Sequence, residues 1–150
     1  MTKKKLVEEL LAQLNASLET ARAAHASAIE GSTHPEARAE NDKDTRGLEQ
    51  SYLARGQAQR VAELEAAIGD VTALALRSGD KVTLSSLVTV DDKQRYFIAP
   101  AGGGAIVGGD IQVITHNSPI GRALLGKSVD DVVEIELRGQ KRELEITHLE

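Results

Sequence analysis

The chain has no cysteine and no tryptophan, its aromatics are Phe97, Tyr52 and Tyr96, and prolines number three in 150 residues. Without cysteine there can be no disulfide, no thiol nucleophile and no thiolate metal site, and a reducing compartment, the cytoplasm, is the expected location. So few rings leave almost no surface for stacking bases, and independent binding of nucleic acid is not expected. Basic charge is scarce too. The formal charge is -5 and the pI near 5.4, which leaves no dominant face for a polyanion, and the short run Lys3-Lys4-Lys5 does not change that. Long apolar runs are missing, so no segment is expected to cross a bilayer. Glu8 and Glu9 fall where an export signal would need its apolar stretch, and export by a standard signal is not expected. With 41% hydrophobic residues, the chain can still bury one modest core beside an extended element.

What is present first is helix-forming sequence. From Lys3 to Glu30 there is no glycine or proline, and Leu, Ala, Glu and Gln dominate. Val7, Leu11, Leu14, Leu18, Ala21, His25 and Ala28 recur at spacings of three and four, the seam of a coiled coil. The seam tapers from leucine to alanine, which suits close helix approach and a slender tip. Gly31 to Pro35 predicts the end of this helix, and Thr33-His34-Pro35-Glu36 reads as a capping box opening a second one, to about Leu76. Val61, Leu64, Ile68 and Val71 give that helix its own seam, while Gly47, Gly56 and Gly69 each weaken it by roughly 1 kcal/mol relative to alanine. Residues 1–76 are therefore expected to form an antiparallel helical hairpin, a coiled coil with its tip near 31–36. At about 1.5 Å per residue its first helix would project roughly 40 Å.

After Arg77-Ser78-Gly79-Asp80 the pattern changes to short β-like runs at 82–84, 95–99, 111–115, 132–137 and 142–148, each bounded by turn residues. Ser118 as N-cap, Pro119 in the first turn and Gly126 as stop predict one short helix between strands. The fold class is α+β, with residues 77–150 forming an antiparallel β domain with one short helix.

Candidate chemistry is sparse. From Glu30 to Glu49 six acids stand against three bases, and Glu36, Glu40 and Asp44 recur every four residues along one helix face, where carboxylates could hold a hard cation such as magnesium. Acids in a first helical turn are ordinary, because they complement the helix dipole, and a solvated acidic helix start is the reading the sequence favours over a cation site. The glycine run 101–109 lacks the following helix and the Lys-Ser/Thr pair of a phosphate loop, and reads as a flexible connection between strands. His25, His34, His116 and His148 are too scattered for a metal set, with His34 beside the turn the one functional candidate among them. Tyr96 and Phe97 are adjacent on a strand and point to opposite faces, which argues against an aromatic-lined prolyl isomerase pocket.

The stretch Ile114 to Val133, with Ser118-Pro119-Ile120-Gly121-Arg122-Ala123-Leu124-Leu125-Gly126-Lys127 at its centre and Asp131-Val132-Val133 opening the next strand, resembles the C-terminal signature of the bacterial GreA/GreB transcript cleavage factors. The resemblance implies an FKBP-like C-terminal domain docking at the rim of the RNA polymerase secondary channel, with Ser118, Pro119, Ile120, Gly121, Arg122 and Leu125 as docking residues. It implies a coiled coil that enters the channel, and tip acids that help hold magnesium at the polymerase active centre so that backtracked RNA is cut. Those acids would be drawn from Glu36, Glu40, Asp42 and Asp44, with Glu36, Glu40 and Asp44 sharing the metal only jointly with the polymerase. The polymerase is then the enzyme, and this chain has no catalytic residue of its own.

The tip departs from the family's D-x-x-E-N pattern. One frame puts Thr33 at the Asp position and Glu36 at the Glu position; a second puts Ala37 and Glu40 there; a third, Glu40 and Lys43. None restores both acids, so polymerase binding is expected more firmly than cleavage stimulation. The leading reading is a monomeric, Gre-like secondary-channel factor that modulates elongation. Its alternatives are a non-cleaving occupant of the channel and a non-transcriptional interaction or chaperone module.

Overall fold

A computed structural model of the chain describes residues 2–33 and 46–150, with side chains outside 31–33 and 46–52. The elements run α1 (Lys3–Thr33), α2 (Arg46–Thr72), β1 (Leu87–Val90), β2 (Gln94–Ala99), β3 (Ile106–Val107), β4 (Ile111–Thr115), α3 (Pro119–Leu124), β5 (Val132–Leu137) and β6 (Gln140–Leu149). They gather into two units, Met1–Gln13 with Ala67–Glu150, and Leu14–Ala66.

The Leu14–Ala66 unit holds most of α1 and α2. Leu14, Leu18, Ala21 and Ala28 are buried along α1 and Leu64 along α2, as the seam predicts, while His25 and Val61 are half-buried. Arg22 of α1 lies 3.8 Å from Glu65 of α2, both side chains being more than half exposed, so the pair adds little. The small residues Ala16, Ser17, Thr20 and Ala24 leave an open hollow of about 480 Å³, with Gln57 and Arg60 on its lining.

Helix α1 continues through Gly31 and Ser32 to Thr33, past the expected stop at Glu30. Glycine keeps its N–H and can stay helical at a cost of about 1 kcal/mol. Of the tip expected at 31–36, residues 31–33 instead extend α1, so Thr33 does not open a second helix, while His34, Glu36, Glu40, Asp42 and Asp44 lie outside the described residues.

The other unit is built on a six-stranded sheet of order β3-β4-β2-β1-β6-β5. The expected α+β class with one short helix is found, but the sheet is mixed rather than wholly antiparallel, because β2 and β4 pair in parallel from Tyr96↔Gln112 to Ala99↔Thr115. Parallel neighbours need a crossover of about a dozen residues. Residues 100–110 supply it and place the short β3 antiparallel against β4 at the sheet edge.

Tyr96, Ile98, Val88, Val90, Ile114 and Ile146 pack on one face with Leu124 of α3. Phe97 and Leu87 alternate to the opposite face, as expected for neighbours of Tyr96 and Val88. β2 is buried on both faces from Tyr96 to Ala99, and this unit's fully buried apolar residues include Leu6 and Leu10 of α1 and Val71 of α2. At its root α1 thus buries Leu6 and Leu10 instead of the expected Val7 and Leu11, which are half-buried.

The predicted strand at 82–84 is not one. Val82 makes two backbone bonds, donating to Lys127 O and accepting from Gly126 N–H, each at 2.8 Å, and a turn at Leu84-Ser85 then delays the first strand to Leu87. Buried Ser85 and Ser86 fix that turn. The Ser85 hydroxyl accepts from Arg77 N–H at 2.8 Å and Ser86 Oγ accepts from Thr83 N–H at 2.8 Å. Lys3 Nζ also donates to Arg77 O at 2.6 Å. These partners draw the chain into an extended path, and α2 ends at Thr72 rather than at Leu76.

Partial burial raises the Tyr96 phenol above its ordinary value of 10.0, with nearby Arg142 opposing and Asp91 adding to the shift. Above pH 10.0 the unfolded chain releases this proton while the folded chain still holds it, so stability falls as pH rises there. Tyr96→Phe is expected to flatten that decline, read as the denaturation midpoint between pH 9 and pH 11.

Candidate docking site at the start of helix α3

Helix α3 is only six residues long, so local bonds must hold it. Ser118 sits in extended geometry as its N-cap, and its Oγ accepts from Gly121 N–H at 3.0 Å while donating to Thr115 O at 2.8 Å. Pro119 occupies the first turn, where a missing N–H is harmless. A Cβ on Gly121 would lie 2.0 Å from Thr115 O, so only glycine permits this approach of helix to strand end. Leu125 N–H closes on Gly121 O at 3.0 Å.

These contacts divide the six expected docking residues. Ser118 and Gly121 hold the turn. Leu125 packs half-buried on the core beside Leu124. Pro119 and Arg122 are exposed, and Arg122 makes no ion pair among the described residues. Ile120, half-buried, joins Ser118 and Pro119 in lining a groove of about 210 Å³ with Gly103, Gly104, Leu137 and residues 112–115. The groove is mostly apolar with a few polar groups, the chemistry that receives an apolar side chain, and Arg122 supplies positive charge on the same short helix.

Gly103, Gly104, Gln112 and Leu137 were not among the residues expected at this site. The glycine run, expected as a flexible connection, is an ordered clasp. Gly104 N–H donates to Val113 O and Val113 N–H to Ala105 O, both at 2.8 Å. The clasp also grips the root of α1: the Glu9 carboxylate accepts from Gly108 N–H at 2.6 Å, and the Gln13 amide donates to Ile106 O at 2.8 Å. Gly102, at φ +83, packs so closely beneath Leu10 that a Cβ there would lie 2.7 Å from Leu10 Cδ1. One loop therefore serves both the helix root and the groove. Glu9→Ala leaves the part-buried Gly108 N–H without its charged partner and is expected to lower stability by about 2 kcal/mol, read by chemical denaturation.

His116, just before the motif, keeps its Nδ1 buried without a hydrogen-bond partner among the described residues. Among the described residues no group of three or more His, Asp or Glu side chains could hold a metal ion, and no helix is long and apolar enough to cross a membrane. The magnesium candidates Glu36, Glu40 and Asp44, like Asp42, lie outside the described residues.

Residues 76–150 match the family model described as the C-terminal part of transcription elongation factor GreA/GreB. Over the longer chain, similarity extends to the transcription elongation factor GreA of Sphingopyxis alaskensis, 31% identical over 95% of this chain and 90% of that protein. The GreA of Zymomonas mobilis is 33% identical over 77% of this chain and 76% of its own length. Among solved structures, the GreA factor homolog 1 of Thermus thermophilus is 23% identical over 98% of this chain and 96% of that one, with a TM-score of 0.40. The capped Ser118-Pro119 turn and the strands around it thus fall within the matched region, the relatives reach through the helical part as well, and the chain belongs to the GreA/GreB family of transcription elongation factors.

Proposed function

We propose that this chain docks on RNA polymerase at the rim of the secondary channel through the start of α3, and directs its helical hairpin, residues 1–76, toward the active centre to modulate elongation. Residues 77–150 are the docking domain in this reading, and the chain acts as a monomer without an active site of its own. The observation that carries it is the division of labour in the motif. Ser118 and Gly121 build the turn, which leaves Pro119, Ile120 and Arg122 at the surface beside an apolar groove. The part of α1 beyond Gln13, to Thr33, spans about 30 Å, a reach suited to a deep channel. A pull-down with core polymerase is expected to retain the full chain, and its failure to do so would sink the reading.

A second reading, a channel occupant that does not stimulate cleavage, is favoured by the tip sequence. None of the three frames over 33–43 restores both acids of the family's pattern, and a threonine or alanine brings no charge to a hard divalent ion. Stalled, backtracked complexes supplied with the protein and magnesium separate the two. Shortened RNA identifies a cleavage factor in which Glu36, Glu40, Asp42 or Asp44 suffices, whereas unshortened RNA with retained binding identifies the occupant.

A further inference from the structure

The sheet ends at β5, and among the described residues no strand pairs with the outer side of it. Ile146 N–H donates to Asp131 O at 2.9 Å, and the alternation of bonded pairs in an antiparallel ladder then makes Val133, Ile135 and Leu137 the residues bonded to β6. The turn agrees with this phase. Arg138 and Gly139 have φ of 53° and 77°, the left-handed pair of a two-residue hairpin that closes on bonded Leu137 and Gln140. The N–H and C=O groups of Val132, Glu134 and Glu136 therefore point away from β6, toward no partner strand.

The β5 strand itself carries charge of one sign, with Lys141 of β6 directly opposite Glu136. From Asp130 to Leu137 the chain carries Asp130, Asp131, Glu134 and Glu136 and no base. Glu134 stands directly opposite Glu143, and Val132 opposite Glu145, on the exposed face. Carboxylates placed opposite one another repel. Lys141 lies 3.8 Å from Glu134, but both side chains are more than half exposed and the pair neutralises little. Val132, 59% exposed, adds apolar surface at the same edge.

A second copy of this chain suits the edge poorly, since β5 against β5 sets the acids of one strand against those of the other. We propose that the β5 edge receives an extended segment of another protein bearing lysine or arginine at alternate positions, added to the sheet as a further strand. Main-chain bonds to Val132, Glu134 and Glu136 hold the segment, and its basic side chains meet Glu134, Glu136 and Glu143. Val132, Glu134 and Glu136 are not among the residues lining the α3 groove, although Leu137 of the same strand is, and the partner at this edge need not be the one docked there.

The test uses the full chain, labelled with nitrogen-15, and a short capped peptide of alternating lysine and valine. At a peptide concentration about ten times its Kd, hydrogen exchange at the Glu134 and Glu136 amides is expected to slow about tenfold. The same peptide N-methylated on alternate residues is expected to give no protection. Glu134→Lys with Glu136→Lys, both exposed and tolerable to the fold, should lose the lysine peptide and gain one of alternating glutamate and valine. Absence of binding, binding without slowed exchange, equal protection by the N-methylated peptide, or a concentration-dependent dimer paired through β5 would each overturn the proposal.

Discussion

Gly121→Ala is expected to lower the stability of the protein by about 3 kcal/mol, at the upper end of what overpacking imposes. The added methyl group would sit 2.0 Å from Thr115 O. That oxygen belongs to backbone and accepts from Ser118 Oγ and Ser118 N–H, so it cannot swing aside as a flexible side chain would. Relief requires α3 to lift from the end of β4, which separates Ser118 from Thr115 and opens the groove. Chemical denaturation should show a lower midpoint with an unchanged slope, and the proposed docking surface should be lost with the turn. An unchanged midpoint would mean that α3 does not approach β4 as described.

Phe97→Ala is expected to be the other severe substitution, costing about 4 kcal/mol. Phe97 is fully buried, and it is the one phenylalanine of a chain with few large side chains to fill a cavity by relaxation. It lies at the centre of the sheet, paired across to Leu87 on β1 and Val113 on β4. Its loss should act on both neighbours and leave the Leu14–Ala66 unit, which has its own buried leucines, without direct damage. Thermal unfolding followed through the strand signal is the measurement. A loss below about 1 kcal/mol would show that the face opposite α3 is not tightly packed.

The helices were legible because periodicity writes them directly into sequence, and their lower seam followed from Leu14, Leu18, Ala21, Ala28 and Leu64. The upper seam was not legible. Leu6-Val7 and Leu10-Leu11 are adjacent apolar pairs, so the pattern cannot choose between them, and the choice depends on the glycine clasp about a hundred residues away. The strand at Leu87–Val90 was hidden for a similar reason. Val82 to Leu84 has equal β character, and the hydroxyls of Ser85 and Ser86 decide where the ladder begins. Parallel pairing of β2 with β4 depends on a crossover whose course no local pattern specifies.

At the candidate site, the Ser118 cap and Pro119 were readable from turn chemistry, and the need for glycine at 121 rests on a contact that only the fold reveals. The groove could not be read because its lining comes from four separate stretches of chain.

The proposed binding of RNA polymerase by the start of α3 is tested most directly by Pro119→Asp with Arg122→Glu. Both side chains are exposed, so the double variant should fold with an unchanged denaturation midpoint. Equilibrium binding of the full chain to core polymerase is then expected to weaken at least about tenfold, some 1.4 kcal/mol. Equal affinity of the variant and the original chain for the polymerase would contradict the claim.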